Sequence, residues 1–248
     1  MAARTDNVDD PALTELLLLA RRGTAYFSRA LNQLSDAEFD EPSLLPGWSR
    51  RHVAAHVGYN ARALARLVEG ARTGVAIPMY ESPVARNAEI EVGATLPVVA
   101  LRNLCEHAAI HLNVEWRDLP AESWSNPVTT AQGRVVPVSE TVWMRIREVW
   151  IHAVDLDNGA RFDDFPAELI DKLVADVQAG WARKGAAVPR LRLVLSDRAE
   201  PIELGEASAG SFGDIRCSAA DVARWMTGRG APRTAELDSP LPELPAWL

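Results

Sequence analysis

Cysteine is nearly missing from this chain. Cys105 and Cys217 are the only two in 248 residues, and they form no Cys-x-x-Cys spacing. That excludes a thiolate-built zinc cluster and fits a reducing compartment. Positive charge is also short. Twenty-six Lys and Arg stand against 34 Asp and Glu, a net charge of −8. Sequence-independent nucleic-acid binding needs a basic surface and is not expected. A small anionic substrate is still allowed, because local charge can differ from the total. No apolar run is long. Leu16–Ala20 is preceded by Asp9 and Asp10 and followed by Arg21 and Arg22. It is too short to span a bilayer and lacks the basic leader of a signal peptide, so the expected location is cytoplasmic with no membrane partner. Internal repeats are absent.

What is present suits a soluble globular chain of one large domain or two small ones. Such a chain buries a core without metal staples, so any metal should be functional rather than structural. Helical spacing marks residues 10–34, although Gly23 weakens the middle. A Pro-Gly loop ends at Trp48–Ser49, and Ser49 can cap a helix over 50–72 with Val53, Ala54, Val57, Ala61, Leu64 and Val68 on its apolar face. A short helix near 84–92 and long helices over 97–118 and 138–156 follow, the last started by Ser139. Residues 119–137 read as irregular, with a strand or two near 126–136. Four long helices predict a four-helix bundle. Beyond Asn158–Gly159 the pattern changes to a helix near 166–184, strands at 190–195, 200–204 and 213–217, a turn over 205–213 and a helix over 218–228. The fold class is therefore mainly α with a smaller α+β part, divided into 1–160 and 161–248. The tail from Ser239–Pro240 has no regular period.

The chemistry concentrates in Glu148–Val149–Trp150–Ile151–His152. Residues four apart on a helix share one face. The rest of this helix is largely apolar, so the pair should be buried, and a buried carboxylate and imidazole need a partner. A divalent metal would serve, given a third ligand. The other four histidines fall into two pairs of the same spacing, His52/His56 and His107/His111. Spacing does not choose between them. His56 is the better buried candidate, since His52 follows Arg50 and Arg51 near a helix start. An ion pair of Glu148 with Arg145 or Arg147 is the plain alternative.

Several stretches resemble the mycothiol-dependent maleylpyruvate isomerases. They are Leu45–Pro46–Gly47–Trp48–Ser49–Arg50–Arg51–His52–Val53–Ala54–Ala55–His56–Val57 with Asn60, Pro78–Met79–Tyr80, Ala85–Arg86–Asn87, Thr130–Ala131–Gln132–Gly133–Arg134, Trp143–Met144–Arg145, Glu148 through Leu156, and Gly228–Arg229–Gly230 with the closing Trp247–Leu248. The resemblance runs in one order along nearly the whole chain. It implies a DinB-like N-terminal bundle and a small α+β C-terminal domain. It also implies a zinc ion bound by His56, Glu148 and His152, and a link between Arg229 and activity. Arg229 reads equally well as a cation capping a helix end.

The implied reaction converts maleylpyruvate to fumarylpyruvate in gentisate degradation, by reversible addition of the thiol of mycothiol. The coenzyme brings the nucleophile, so both cysteines are expected to be core residues. A dianionic substrate calls for arginine. Arg229 is the first candidate and Arg86 a weaker one, with a solvated loop arginine as its plain reading. Asn60 could orient a ligand and Asp155 could support His152, although both also read as ordinary polar helix residues. Trp143 and Trp150 read as core. A zinc-dependent mycothiol S-transferase and a non-catalytic small-molecule carrier are the competing functions. Mycothiol-binding residues and oligomeric state are not legible.

Overall fold

In the computed structural model, which describes residues 5–205, 211–232 and 241–247, each long helix begins where the chain offers a cap. Helix α1 (Pro11–Gln33) starts with Pro11 in its first turn and the Asp10 carboxylate accepting from the Ala12 N–H at 2.9 Å. Helix α2 (Arg50–Thr73) has Ser49 at its N-cap, and the Ser49 N–H donates to Nδ1 of His52 at 3.2 Å. It ends at Gly74, whose φ of 73° is the left-handed conformation glycine adopts without strain. Helices α3 (Pro83–Ala94), α4 (Val98–Asp118) and α5 (Glu140–Asp155) follow. Ser139 occupies the N-cap of α5 but makes no side-chain cap there. The start of α5 is held instead by Thr141, whose hydroxyl donates to Val138 O and accepts from the Trp116 indole.

The chain divides into two compact units, Met1–Ala160 and Arg161–Leu248. In the first, α1 packs on α5 and α2 packs on α3, α4 and α5, which makes the four-helix bundle. The whole expected apolar face of α2, from Val53 to Val68, is buried. On α1, Leu17, Ala20 and Phe27 are buried, whereas Leu16 and Tyr26 are half-buried. Gly23 is no weak point. A Cβ there would lie only 2.3 Å from Nε1 of Trp150, so its absence lets α1 and α5 meet closely, and Trp150 Nε1 donates to Leu19 O at 3.2 Å. Strands β1 (Pro127–Thr129) and β2 (Val135–Pro137) form a small antiparallel hairpin before α5.

The second unit holds helix α6 (Ala167–Lys184), strands β3 (Arg190–Leu195), β4 (Ile202–Leu204) and β5 (Ser211–Cys217), and helix α7 (Ala219–Met226). The sheet order is β4–β3–β5, antiparallel on one side of β3 and parallel on the other. Trp181 is buried and donates to Pro245 O, while Lys184 donates to Trp247 O. The part of the expected turn at 206–210, the start of the expected tail at 239–240, and Leu248 lie outside the described residues. No described helix is long and apolar enough to cross a membrane.

Candidate metal centre

The site begins with an arginine clasp between two helix ends. Arg50, in the first turn of α2, donates to Leu156 O at 2.7 Å and to Asp157 O at 2.9 Å. These carbonyls lie just past α5, where backbone acceptors lack helical partners and a cation is favoured. The expectation that this helix start faces solvent is corrected here for Arg50, which is buried. The clasp sets the start of α2 beside the end of α5. Less than two turns further along α2, His56 meets the α5 pair.

Nε2 of His56 lies 2.8 Å from Oε2 of Glu148, and Nε2 of His152 lies 3.2 Å from the same oxygen. The two imidazoles stand edge to face, with centroids 4.8 Å apart. One potential donor atom from each of the three residues lies within 4.8 Å of the others. Glu148 Oε2 is buried, yet it accepts no well-aligned hydrogen bond. A buried carboxylate oxygen shared by two ring nitrogens, with no well-aligned hydrogen bond of its own, is an arrangement that a cation would satisfy. Two imidazole nitrogens and one carboxylate oxygen are a donor set that zinc accepts. The residues therefore fit the metal.

The two histidines are held differently. Nδ1 of His152 lies 2.8 Å from Oδ2 of the fully buried Asp155. Its Nδ1 proton is thus held by a carboxylate, and Nε2 is the nitrogen able to give up a proton to a cation. Nδ1 of His56 faces Nη2 of Arg86 at 3.3 Å. A guanidinium only donates, so this Nδ1 accepts, and the proton of neutral His56 sits on Nε2.

Electrostatics follow from burial and these contacts. Burial alone would raise the Glu148 carboxyl, but the imidazoles of His56 and His152 hold it well below the usual carboxylate range. Burial lowers the His56 pKa, and Glu148 only partly offsets this. For His152 burial acts the same way but is overcome by Asp155 and Glu148, and the ring is raised to about 9.

Other expected residues fall in varied places. His52 belongs to the cap of α2, and its Nε2 lies 3.5 Å from Glu91. His107 and His111 are exposed on α4, away from any such cluster among the described residues. Asn60 Oδ1 accepts from Arg145 Nη1 at 3.0 Å. Arg145, which the plain alternative offered with Arg147 as a surface ion-pair partner of Glu148, is buried and also donates to Val57 O. Arg147 lies over the Trp143 ring. Arg86 lies on helix α3 rather than in a loop. Arg229 follows α7 in the second unit, and its Nη1 donates to Thr227 O at 2.6 Å, a contact of the capping kind. Trp143 and Trp150 are core residues, as are both cysteines.

Sequence reasoning missed two walls of the site. Trp48 sets its ring edge against His56, 5.6 Å between centroids. Tyr80 lies beside Arg86, and burial followed by the charge of Glu148 pushes its phenol up to about 12. The Pro-Gly-Trp run before α2 was the available signal for the first. Nothing in the spacing pointed to the second.

These features define a helical-bundle protein with a candidate single-metal centre of two histidines and a glutamate. The family described as "Mycothiol maleylpyruvate isomerase N-terminal domain" matches residues 20–157. A crystal structure of the mycothiol-dependent maleylpyruvate isomerase is similar to this chain along its length, with 45% identity, a TM-score of 0.86, and coverage of 98% of this chain and 100% of that one. A histidine-to-alanine mutant of that enzyme matches with the same values. No curated protein matched. The chain belongs to the mycothiol-dependent maleylpyruvate isomerase family.

Proposed function

We propose that this chain isomerises maleylpyruvate to fumarylpyruvate, as a step of gentisate degradation, with mycothiol as coenzyme and a zinc ion held by His56, Glu148 and His152. The observation that carries this reading is the convergence of those donors in a chain of this family. When bound, zinc would favour loss of the thiol proton, and reversible addition of sulfur to the alkene would turn its double bond into a single bond free to rotate.

The chain's own residues prepare the site for this. Glu148 supplies the one formal negative charge of the ligand set, which leaves the loaded centre positive toward a thiolate. Asp155 fixes the ring of His152. Trp48 shields His56 on one side. Tyr80 keeps its proton at neutral pH and so presents a hydrogen-bond donor beside the site. Arg86, 3.3 Å from His56, is the candidate to hold a substrate carboxylate, and Arg229 is the residue that the family resemblance links to activity. Neither cysteine competes as a nucleophile. Burial pushes Cys105 up to about 12 and Cys217 up to about 11.

The test is to follow fumarylpyruvate formation from maleylpyruvate with and without mycothiol. Turnover is expected only with the thiol, and equal rates in both arms would reject the reading. Arg229→Ala should keep its zinc and lose roughly ten- to a hundredfold in turnover, the worth of a charge-assisted hydrogen bond. Kinetics equal to the parent protein would reduce Arg229 to a helix cap.

A further inference from the structure

The chain doubles back on itself where α7 ends. Thr227 is the C-cap, and Gly228 follows with a φ of 81°, the left-handed conformation that glycine takes without strain. The Gly228 N–H donates to Trp225 O at 2.9 Å, and the Arg229 N–H donates to Arg224 O at 2.9 Å. These two bonds are a Schellman motif, which returns the backbone of Arg229 over the last turn of the helix. The side chain of Arg224 then closes on the same segment. Its Nη1 donates to Arg229 O at 3.5 Å, and its Nη2 donates to Ala231 O. Resting on the reading that Arg229 serves the isomerisation, we propose that Arg224 is its positioning residue. Arg224 holds the backbone on both sides of Gly230, so that the Arg229 side chain leaves the chain from one fixed place.

The donors of the Arg224 guanidinium are directed toward this loop. An arginine that serves only an ion pair meets its carboxylate with two parallel N–H groups. Arg224 reaches Asp221 through Nη2 alone, at 3.0 Å, and its buried Nε has no hydrogen-bond partner. The fork is turned instead toward the carbonyls of Arg229 and Ala231. Asp221 is anchored in its turn. Its N–H donates to the Ser218 hydroxyl at 3.1 Å, the N-cap bond of α7, and that hydroxyl lies 3.3 Å from Asp221 Oδ2. The side chains of Arg224 and Asp221 are only 15% and 13% exposed, so salt screens their attraction less than that of a surface pair. A connected clamp thus runs from the start of α7, through Asp221 and Arg224, to the segment beyond its end.

Gly230 is shaped to this clamp. Its φ of 106° is one that other residues adopt only with strain, and a Cβ there would lie 3.1 Å from Nη1 of Arg224. Glycine therefore permits both the turn of the backbone and the close approach of the guanidinium. The benefit to Arg229 is entropic. A long side chain loses rotamer freedom when it grips a carboxylate, and a loose backbone would have to be ordered as well. Ordering the backbone beforehand removes that part. A misplacement of about 1 Å can lower a rate about a hundredfold.

The test is a double-mutant cycle on the zinc-loaded full chain, read as kcat/KM for maleylpyruvate with mycothiol. Arg224→Ala should lower kcat/KM about tenfold at unchanged zinc content. In the Arg229→Ala background the same substitution should cost less than about twofold, because nothing is left to position. A merely structural role would slow both backgrounds alike. Gly230→Ala leaves Arg224 in place and should show the same pattern at about fivefold, so the outcome does not hang on the folding of one variant. Losses of equal size in the two backgrounds overturn the proposal. So do parent-like kinetics in Arg224→Ala beside a slow Arg229→Ala. Parent-like kinetics in Arg229→Ala itself would reject the underlying reading and the proposal with it, and a different single variant reports that failure.

Discussion

The two walls of the candidate metal centre are made in different ways. On the α5 side one helix supplies everything: Glu148, His152 and Asp155 follow at i, i+4 and i+7, and the His152–Asp155 bond of 2.8 Å lies within that helix. On the α2 side His56 depends on its neighbours. Arg50 ties its helix to the end of α5, Trp48 presses on its ring, and Arg86 approaches from α3. One ring is backed by an anion and the other faces a cation. Local geometry therefore fixes the orientation of the first ring and keeps its Nδ1 proton on Asp155, so that a cation has only to displace the Nε2 proton. The second must move its proton from Nε2 to Nδ1, and in doing so it gives up Arg86.

The largest expected effect breaks both walls alike. Alanine at His56, Glu148 or His152 should abolish stoichiometric zinc and lower turnover about a thousandfold, with helical circular dichroism retained. Retention of one zinc per chain in any of the three would remove that residue from the ligand set. Asp155→Asn strikes the α5 wall alone. It should weaken zinc about ten- to a hundredfold in competition with a chelator; parent-like affinity would mean that the helix by itself holds the ring.

The pH dependence of zinc uptake sharpens the contrast. His152 is raised to about 9 in the metal-free protein, so a cation must displace its proton at neutral pH. Affinity should climb about tenfold per pH unit toward 9 and then level off. A flat profile between pH 6 and 8 would contradict the His152–Asp155 pairing. The folding contribution of this group runs the other way. Its folded pKa lies above the unfolded value, so in the metal-free protein its stabilisation is complete below about 6.5 and is lost as pH rises through about 9. The smallest effect belongs to the α2 wall. Arg86→Ala removes the cation that opposes the metal-bound form of His56, so zinc should tighten about threefold even as the KM for substrate rises. Weaker zinc in this variant would show that Arg86 supports His56.

How far the sequence could be read follows the same division. Glu148 and His152 were legible because they belong to one helix, and helical spacing translates directly into a shared face. The third ligand was not. His52/His56 and His107/His111 have identical spacing, and the choice between them lies in which helices meet, which periodicity does not encode. Apolar neighbours favoured His56 over His52, and family resemblance made the choice against His107 and His111. The bundle and the later change to strand periodicity were legible for the same local reason. Arg50 and Arg145 misled because charge usually marks solvent; here carbonyls at the end of α5 and along α2 absorb both. Tyr80 depends on the path of a proline-containing connection, for which residue spacing gives no rule.

Trp150 projects from the side of α5 opposite Glu148 and His152, since residues two apart point in nearly opposing directions. It is keyed into α1 where Gly23 carries only hydrogen. The bond from its Nε1 to Leu19 O further ties this side of α5 to α1. The aim of the two ligands is thus governed from the back of the helix, by a residue with no functional group to contribute. A methyl added at position 23 would lie 2.3 Å from Nε1 of Trp150, so the indole that faces away from both candidate ligands would have to shift.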